Sequence, residues 1–445
     1  MGIIEKLKHS EEKDVAIDAV PLRQRESWVS PAVVYAGVEF TLSVVMVGAG
    51  LVGSFSVAKV ALIVAIALLI TWVGDSLNAY IGAKTGRPST VIARQAFGSI
   101  QARTLIAILV ILMGLGWWGI QTAIMANAIS AALGIDYTTN WGAWAVIVVI
   151  LGIIFGIPAI LGYTSMKWTD YLAVPVGLLV FGLGVYLSIS KHGVSGVLNW
   201  NPTPQMAITV AISTVIGVNV VQWVMMSDYS RQMRPGWKNA LLMPSLTMIV
   251  GFILMVVGAV MAVGVGTWDI VAVMVALGYP FWAYFLMFVA QWTTQIVNVY
   301  TPGLAVANML DLRTGKGRAV ATASIVVVGI VLALAGILDR YMDFLLLLGI
   351  IFPPIAAVMM TDFFVLRKEE WEDIQGWNVV ATVSVITGVL AGYYMQYVRF
   401  IGLPAVQTFI ITAIVYYVLM RIKAAVAPDQ FTPKQWLVTS EKNFL

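Results

Sequence analysis

The 445-residue chain contains no cysteine and only two histidines, and 11% of its residues are charged. Without cysteine there is no disulfide framework, no thiolate nucleophile and no iron–sulfur site. His9 and His192 both fall outside the long apolar runs. That excludes a buried histidine metal site and a Ser/His/Asp triad. No Walker-type glycine loop is present, so the chain has no ATPase site of its own, and no organic cofactor is expected. The first 30 residues are charged and lack the apolar core of a signal peptide.

What the chain has in abundance is apolar surface: 60% of its residues are hydrophobic and its mean hydropathy is +0.90. Soluble domains are about 25% charged. Apolar runs of about 20 residues, enough to cross roughly 30 Å of hydrocarbon, recur along the whole chain. They predict an all-α polytopic membrane protein embedded in a lipid bilayer, with twelve transmembrane helices at 32–56, 58–82, 103–133, 141–162, 169–189, 206–227, 239–263, 280–309, 318–337, 342–366, 376–396 and 403–422.

An even number of spans puts both termini on one side. With the termini cytoplasmic, 22 of the 26 Lys and Arg residues fall inside, leaving Lys59, Lys191, Arg340 and Arg399 outside. This is the bias of the positive-inside rule in a cell or inner membrane. The pI near 9.1 therefore reports topology and contact with anionic lipid, and no nucleic-acid partner is expected.

Polar groups inside the spans are costly unless they face a partner or a cavity, which makes them functional candidates. The stretch "FVAQWTTQIVNVYTPG" (Phe288 to Gly303) places Gln291, Thr293, Thr294, Gln295 and Asn298 within eight positions and then meets a break signal at Thr301-Pro302-Gly303. At 100° per residue Ala290, Gln291, Thr294, Gln295 and Asn298 share one face, with Thr293 beside it. The opposite face is apolar and is expected against lipid or core. Such groups also glue helices together, but five on one face point to a binding surface. In "GLGWWGIQ" (Gly114 to Gln121), Trp117 and Gln121 are one turn apart and share a face, while Trp118 points elsewhere and is expected to pack. A stacking surface beside several amides suits a small, flat heterocycle.

Spans one ("VYAGVEFTLSVVMVGAGLVGS") and six ("TVIGVNVVQWVMMSDYSR") each carry glycine and polar residues near mid-membrane. They are the first helices of two five-helix halves, 32–190 and 206–366, which run in opposite senses through the membrane. Paired interruptions of this kind mark a transporter site at the midplane. Residues 1–31 and 426–445 read as cytoplasmic segments, and 370–425 as two additional helices.

The motifs "YIGAKTG" (Tyr80 to Gly86), "GWWG" (Gly116 to Gly119), "SDYSR" (Ser227 to Arg231), "QWTT" (Gln291 to Thr294) and "IFPPIAAVMMTDFF" (Ile351 to Phe364) resemble the nucleobase:cation symporters that include cytosine permease and the hydantoin transporter. The resemblance runs over about residues 32 to 366. It implies a five-plus-five inverted repeat of the leucine-transporter type plus two extra helices, working by alternating access on a nucleobase-like heterocycle, with cytosine the leading expectation and a monomer as the working unit. It implies Na+ as coupling ion, with H+ the alternative, on carbonyls of Gly37, Phe40 and Ala290 and hydroxyls of Thr293 and Thr294. Substrate contacts fall on Trp117, Gln121, Thr41, Gly217, Gln295 and Asn298.

The chain departs from the family pattern in two places. Asn219 stands where an aromatic residue normally closes the second face of the substrate site, with Trp223 one turn later as a replacement, and Gln295 stands where relatives commonly carry Asn. Glu39, the one formal charge in the middle of the first span, is a candidate for supporting the cation or carrying protons. Asp75, Asp228 and Asp362 are expected to pair with basic residues or to cap helices. The alternatives are a proton-coupled permease for purine, allantoin, hydantoin or thiamine-type substrates and, from another class, a channel. A channel would need a continuous polar lining that spans such as "ALIVAIALLITWVG" do not offer. An enzyme is not expected, since apart from Glu39 the midplane holds no acid–base group.

Overall fold

In hydrocarbon a span must satisfy its peptide groups within itself, and a helix does so. The computed structural model describes residues 17–37, 39–136, 139–161 and 163–426, with the backbone alone at 163–174, 293 and 297. The first sixteen residues and the tail beyond 426, expected to be cytoplasmic, lie outside that range, as does His9. Among the described residues the one β pairing is the bridge between Glu26 and Met233.

Helices α1 (Val29–Gly37) and α2 (Leu42–Leu51) share the first span and meet at 63°. α3 (Val57–Thr85) returns across the membrane, and short α4 (Ser89–Phe97) leads into α5 (Ser99–Ala132), which contains a π turn at Ala102–Ile106. α6 (Trp141–Leu161) precedes α7 (Tyr163–Leu198), which kinks at Gly193, where φ is 72°. The sixth span divides into α8 (Ile208–Asn219) and two single turns, α9 (Gln222–Met225) and α10 (Ser227–Ser230). Its interruption is milder than that of the first, since Val220 and Val221 keep helical angles. α11 (Trp237–Met261), short α12 (Ile270–Ala276), α13 (Phe281–Met309) and α14 (Gly315–Leu334) follow. α15 (Tyr341–Met360) continues in a π turn, and α16 (Val379–Tyr393) and α17 (Pro404–Val426) pack together beside it.

Among the described residues ten helices are long and apolar enough to cross a bilayer, or eleven with the bent α1–α2 pair counted as one span. The expected twelve is reached only by counting α13. At 29 residues it is long enough, but its polar face sets it apart. Large apolar side chains such as Leu62, Leu69, Ile153, Val327, Leu390 and Ile414 stand exposed on the outer surface, as a lipid-facing wall requires.

α13 sits at the centre, packed by α5, α6, α7 and α14. Its apolar face, with Ile296 and Val299 buried, therefore meets core rather than lipid. The break signal at Thr301-Pro302-Gly303 does not end this helix, which runs on to Met309. Pro302 withholds one N–H and so frees the carbonyl of Asn298. The absent side chain of Gly114 makes room for the proline ring, and that of Gly303 makes room for Thr322.

Two of the three acids expected at helix ends behave as expected. Asp228 accepts from the Ser89 N–H at 2.7 Å, capping α4. Asp362 accepts from Arg367 at 3.2 Å, Gln95 at 2.8 Å and Tyr416 at 2.8 Å. Asp75 is the correction. It is completely buried, and neither carboxyl oxygen has a hydrogen-bond partner among the described residues. The base on neighbouring α11 is Lys238, in its exposed first turn and out of reach. Another acid, Glu39, is near enough for its charge to act on Asp75.

Candidate functional site

The α1–α2 break lets Glu39, Phe40 and Thr41 leave the helical path. Thr41 is extended (φ −137°, ψ 149°) and caps α2 by accepting from the Ser43 N–H. Beside the break lies a cavity of about 40 Å³ whose wall includes Glu39, Thr41, Trp117, Gln121, Asn219 and Asn298. One water needs about 10 to 15 Å³ of such space, so there is room for about three, and a heterocycle fits more easily if side chains move. Met113 and Met225 in the same wall are flexible enough to do so.

Trp117 is held by near-perpendicular contacts with Phe344 at 5.4 Å and Tyr341 at 6.2 Å between ring centroids. Trp118 lies outside the cavity, with its ring over Gly329 and edge-on to Phe155, so it is a packing residue. The sixth span contributes Val218, Asn219, Val221, Gln222, Met225 and, from α10, Tyr229, the one aromatic ring among them, while Asn219 holds the position expected for the closing aromatic. Trp223 does not replace the missing one: its indole N–H donates to the Thr71 carbonyl at 3.0 Å and its ring packs over Gly74 of α3.

Two expected substrate contacts stand away from the cavity wall. Gly217 lies against α15, where a Cβ would meet the Leu345 carbonyl at 2.8 Å, so its smallness serves helix packing. Gln295 turns toward α5 and donates to Thr122 Oγ1 at 2.6 Å and the Trp118 carbonyl at 3.3 Å. Its Oε1 accepts from Asn298 at 3.2 Å, which orients that residue. Asn298 in turn donates to Gln121 Oε1 at 3.1 Å.

Of the residues expected around sodium, Gly37 and Thr294 meet where α1 ends against α13. The Thr294 hydroxyl reaches the Gly37 carbonyl at 3.4 Å, long for a hydroxyl–carbonyl bond. Two oxygens each about 2.4 Å from one hard cation and at right angles to it are separated by about this distance. Phe40 and Ala290 meet over Gly177 of α7, where a Cβ would collide with the Phe40 ring. The Thr293 side chain lies outside the described residues.

On an unbroken helix Glu39 and Thr41 would point about 160° apart. The break brings both into one cavity wall. Glu39 is buried against Gly251 of α11, its Oε2 unpartnered, with Asn219 as its polar neighbour. Sequence reading gave no role to Ser43 or Tyr341, whose hydroxyl donates to the Ser43 carbonyl at 3.1 Å. The one available signal was Ser43 standing two residues after a helix-capping threonine.

A family model described as a permease for cytosine/purines, uracil, thiamine and allantoin matches residues 20–419. The cytosine permease of Escherichia coli strain K12 is 25% identical over 421 residues, covering 93% of this chain and 96% of the relative. The allantoin permease of Bacillus subtilis strain 168 is 24% identical, covering 94% and 96%. Among solved structures, Mhp1, a nucleobase-cation-symport-1 family transporter, in a closed conformation with bromovinylhydantoin bound, matches with a TM-score of 0.78 at 20% identity, covering 93% of this chain and 96% of that one. A Na+-coupled sialic acid symporter in a substrate-bound outward-open state matches at 0.66 and 16%, covering 96% of each chain. These likenesses show the fold, the leucine-transporter type expected from the resemblance. The match over nearly the whole length shows the family: the chain belongs to the permeases for cytosine and purines, uracil, thiamine and allantoin.

Proposed function

We propose that this permease is a secondary transporter, and not an enzyme, that takes up a small planar heterocycle of the nucleobase type together with sodium by alternating access. One observation carries the reading. A cavity walled by Trp117, Gln121 and Asn298 adjoins the Gly37–Thr294 contact, and Thr294 itself lines that cavity. An ion held at that contact would brace the broken end of α1 against α13, and the same helix carries Asn298 into the substrate wall. The proposed repeats, 32–190 and 206–366, each contribute to the cavity. In this reading Trp117 stacks on the ring while Gln121 and Asn298 read its edge. Thr41 and Asn219 stand in the same wall, and Gly217 and Gln295 act from behind it.

The relatives' names favour cytosine or allantoin as substrate, and the fold neighbours include a Na+-coupled symporter and a transporter holding a hydantoin. Purified protein in liposomes, offered radiolabelled cytosine, uracil, hydantoin and allantoin, tests the reading. Concentrative uptake of one of them driven by an inward sodium gradient is the expected result. Uptake that only equilibrates under inward gradients of sodium and of protons alike rejects it in favour of a channel. Coupling to protons is the second reading, and the placement of Glu39 in the cavity wall is the observation in its favour.

A further inference from the structure

Gln291 lies outside the cavity wall, yet it touches two residues of that wall, Thr41 and Gln121, and the start of α2. Its Oε1 accepts from the backbone N–H of Leu42 at 3.0 Å and from the Thr41 hydroxyl at 2.7 Å. A backbone N–H can only donate, so this contact fixes which end of the Gln291 amide is oxygen. The nitrogen must then face Gln121, and it donates to Gln121 Oε1 at 3.3 Å. Gln121 in turn must present its own nitrogen to Ser43 Oγ, at 3.1 Å. The Ser43 hydroxyl, which accepts there, has its hydrogen free for Thr41 Oγ1 at 3.2 Å. Thr41 has already given its hydrogen to Gln291, so it can only accept from Ser43. The four side chains form a closed circuit, every member donating in the same sense, and the start of α2 sets that sense.

We propose that Gln291 is a positioning residue: the circuit it closes, together with the Asn298 amide that donates to the same oxygen, fixes the Gln121 amide in one of its two orientations, and this decides which edge of a substrate the site accepts. The inference rests on the reading that a planar heterocycle binds between Trp117, Gln121 and Asn298. Gln121 Oε1 already accepts from both Gln291 and Asn298, so what Gln121 has left for the cavity is its second Nε2 hydrogen. Asn298 uses both amide hydrogens on Gln121 and Gln295, which leaves its Oδ1. The site thus offers a donor beside an acceptor. It suits a ring edge with a carbonyl oxygen or bare ring nitrogen next to an N–H. Turned over, Gln121 would face the cavity with an acceptor beside an acceptor, and the preferred edge would change.

Gln291→Glu separates positioning from folding. The carboxylate still accepts from Leu42 and Thr41, so the start of α2 stays capped, but it has nothing to donate to Gln121. Cytosine and uracil are probes of nearly equal size whose edges are reversed at two adjacent positions, a bare N3 beside an amino group in cytosine and an N3–H beside a carbonyl oxygen in uracil. Their dissociation constants, measured on the full-length protein in saturating sodium, give a ratio that should shift roughly tenfold in Gln291→Glu. Ser43→Ala, which opens the circuit at its other end, should move the ratio too. A ratio within about twofold of wild type in a folded Gln291→Glu protein overturns the proposal.

A second measurement needs no ligand. In protein labelled with 15N-glutamine, the Gln121 side-chain amide should exchange slowly in wild type and faster in Gln291→Glu. Equal exchange in both also overturns the proposal. Failure of the underlying reading looks different: wild-type protein would bind neither probe nor hydantoin, while the exchange result still decides whether the circuit exists.

Discussion

The hydroxyl of Thr294, on α13, reaches the carbonyl of Gly37, at the broken end of α1, across 3.4 Å. These residues are 257 positions apart in the chain. Their contact joins the two parts expected to hold sodium, so it is where coupling is best probed. Thr294→Ala removes one oxygen and should weaken sodium's enhancement of substrate binding. By reciprocity it should weaken substrate's enhancement of sodium binding by the same factor. Titrations of each ligand at fixed levels of the other check this. Unchanged sodium stimulation in the variant would show that the ion sits elsewhere.

Trp117 and Trp118 are adjacent in sequence but do different work, one in the cavity wall and one over Gly329. If Trp117 stacks on the substrate, its loss should cost on the order of 1 to 3 kcal/mol of binding, or about tenfold and upward in affinity. Trp118→Ala should cost stability through the void it leaves beside Phe155 while changing affinity little. Binding and thermal unfolding of both variants give the comparison. A larger affinity loss for Trp118→Ala would reverse the assignment.

Glu39 shares the cavity wall with Thr41 and stands next to Phe40. If its charge supports the neighbouring cation, Glu39→Gln should raise the sodium concentration needed for half-maximal uptake and leave the response to a pH gradient unaltered. Loss of pH-driven uptake with an unaltered sodium response is the opposite result, and it would establish the proton-coupled alternative.

Asp75 and Asp362 make a contrast in what a buried acid is worth. Asp362 accepts from Arg367, Gln95 and Tyr416, so Asp362→Asn removes one of the two carboxylates on the buried Arg367 guanidinium, Glu372 being the other, and should destabilise the protein by roughly 1.5 to 3 kcal/mol. Asp75 has no such partner, and Asp75→Asn should leave stability unchanged or raise it. Thermal unfolding in detergent ranks the two. A loss for Asp75→Asn as large as that for Asp362→Asn would mean that Asp75 holds an ion or water that this reading lacks.

The orientation expected from charge places Lys316 inside the cell and Lys59 outside. Both side chains are exposed, and the chain has no cysteine of its own. Lys59→Cys should react with an impermeant thiol reagent in intact cells, and Lys316→Cys only after the membrane is opened. The reverse pattern would invert the topology. Arg87, on the same expected side as Lys316, is a poorer probe because its guanidinium covers the Trp371 ring at 4.3 Å.

What the sequence determined by itself is what local physics decides. Apolar runs of membrane length could only be helices, and glycine with polar residues at mid-span marked the break between Gly37 and Leu42. The 3.6-residue period put Gln291, Thr294, Gln295 and Asn298 on one face of α13. It also separated Trp117 from Trp118. What the tertiary structure decided is which groups meet across helices, because the azimuth and depth at which helices pack are not encoded in any one helix's period. Thr41 and Gln291 are 250 residues apart, and nothing in either neighbourhood announces the other. The same reason moved Gly217 and Gln295 behind the cavity, anchored Trp223 to α3 and carried α13 straight through Pro302. It also left Asp75 without a base and within range of another acid's charge: one helix fixes where along its own axis a charge lies, but its neighbours fix what that charge meets.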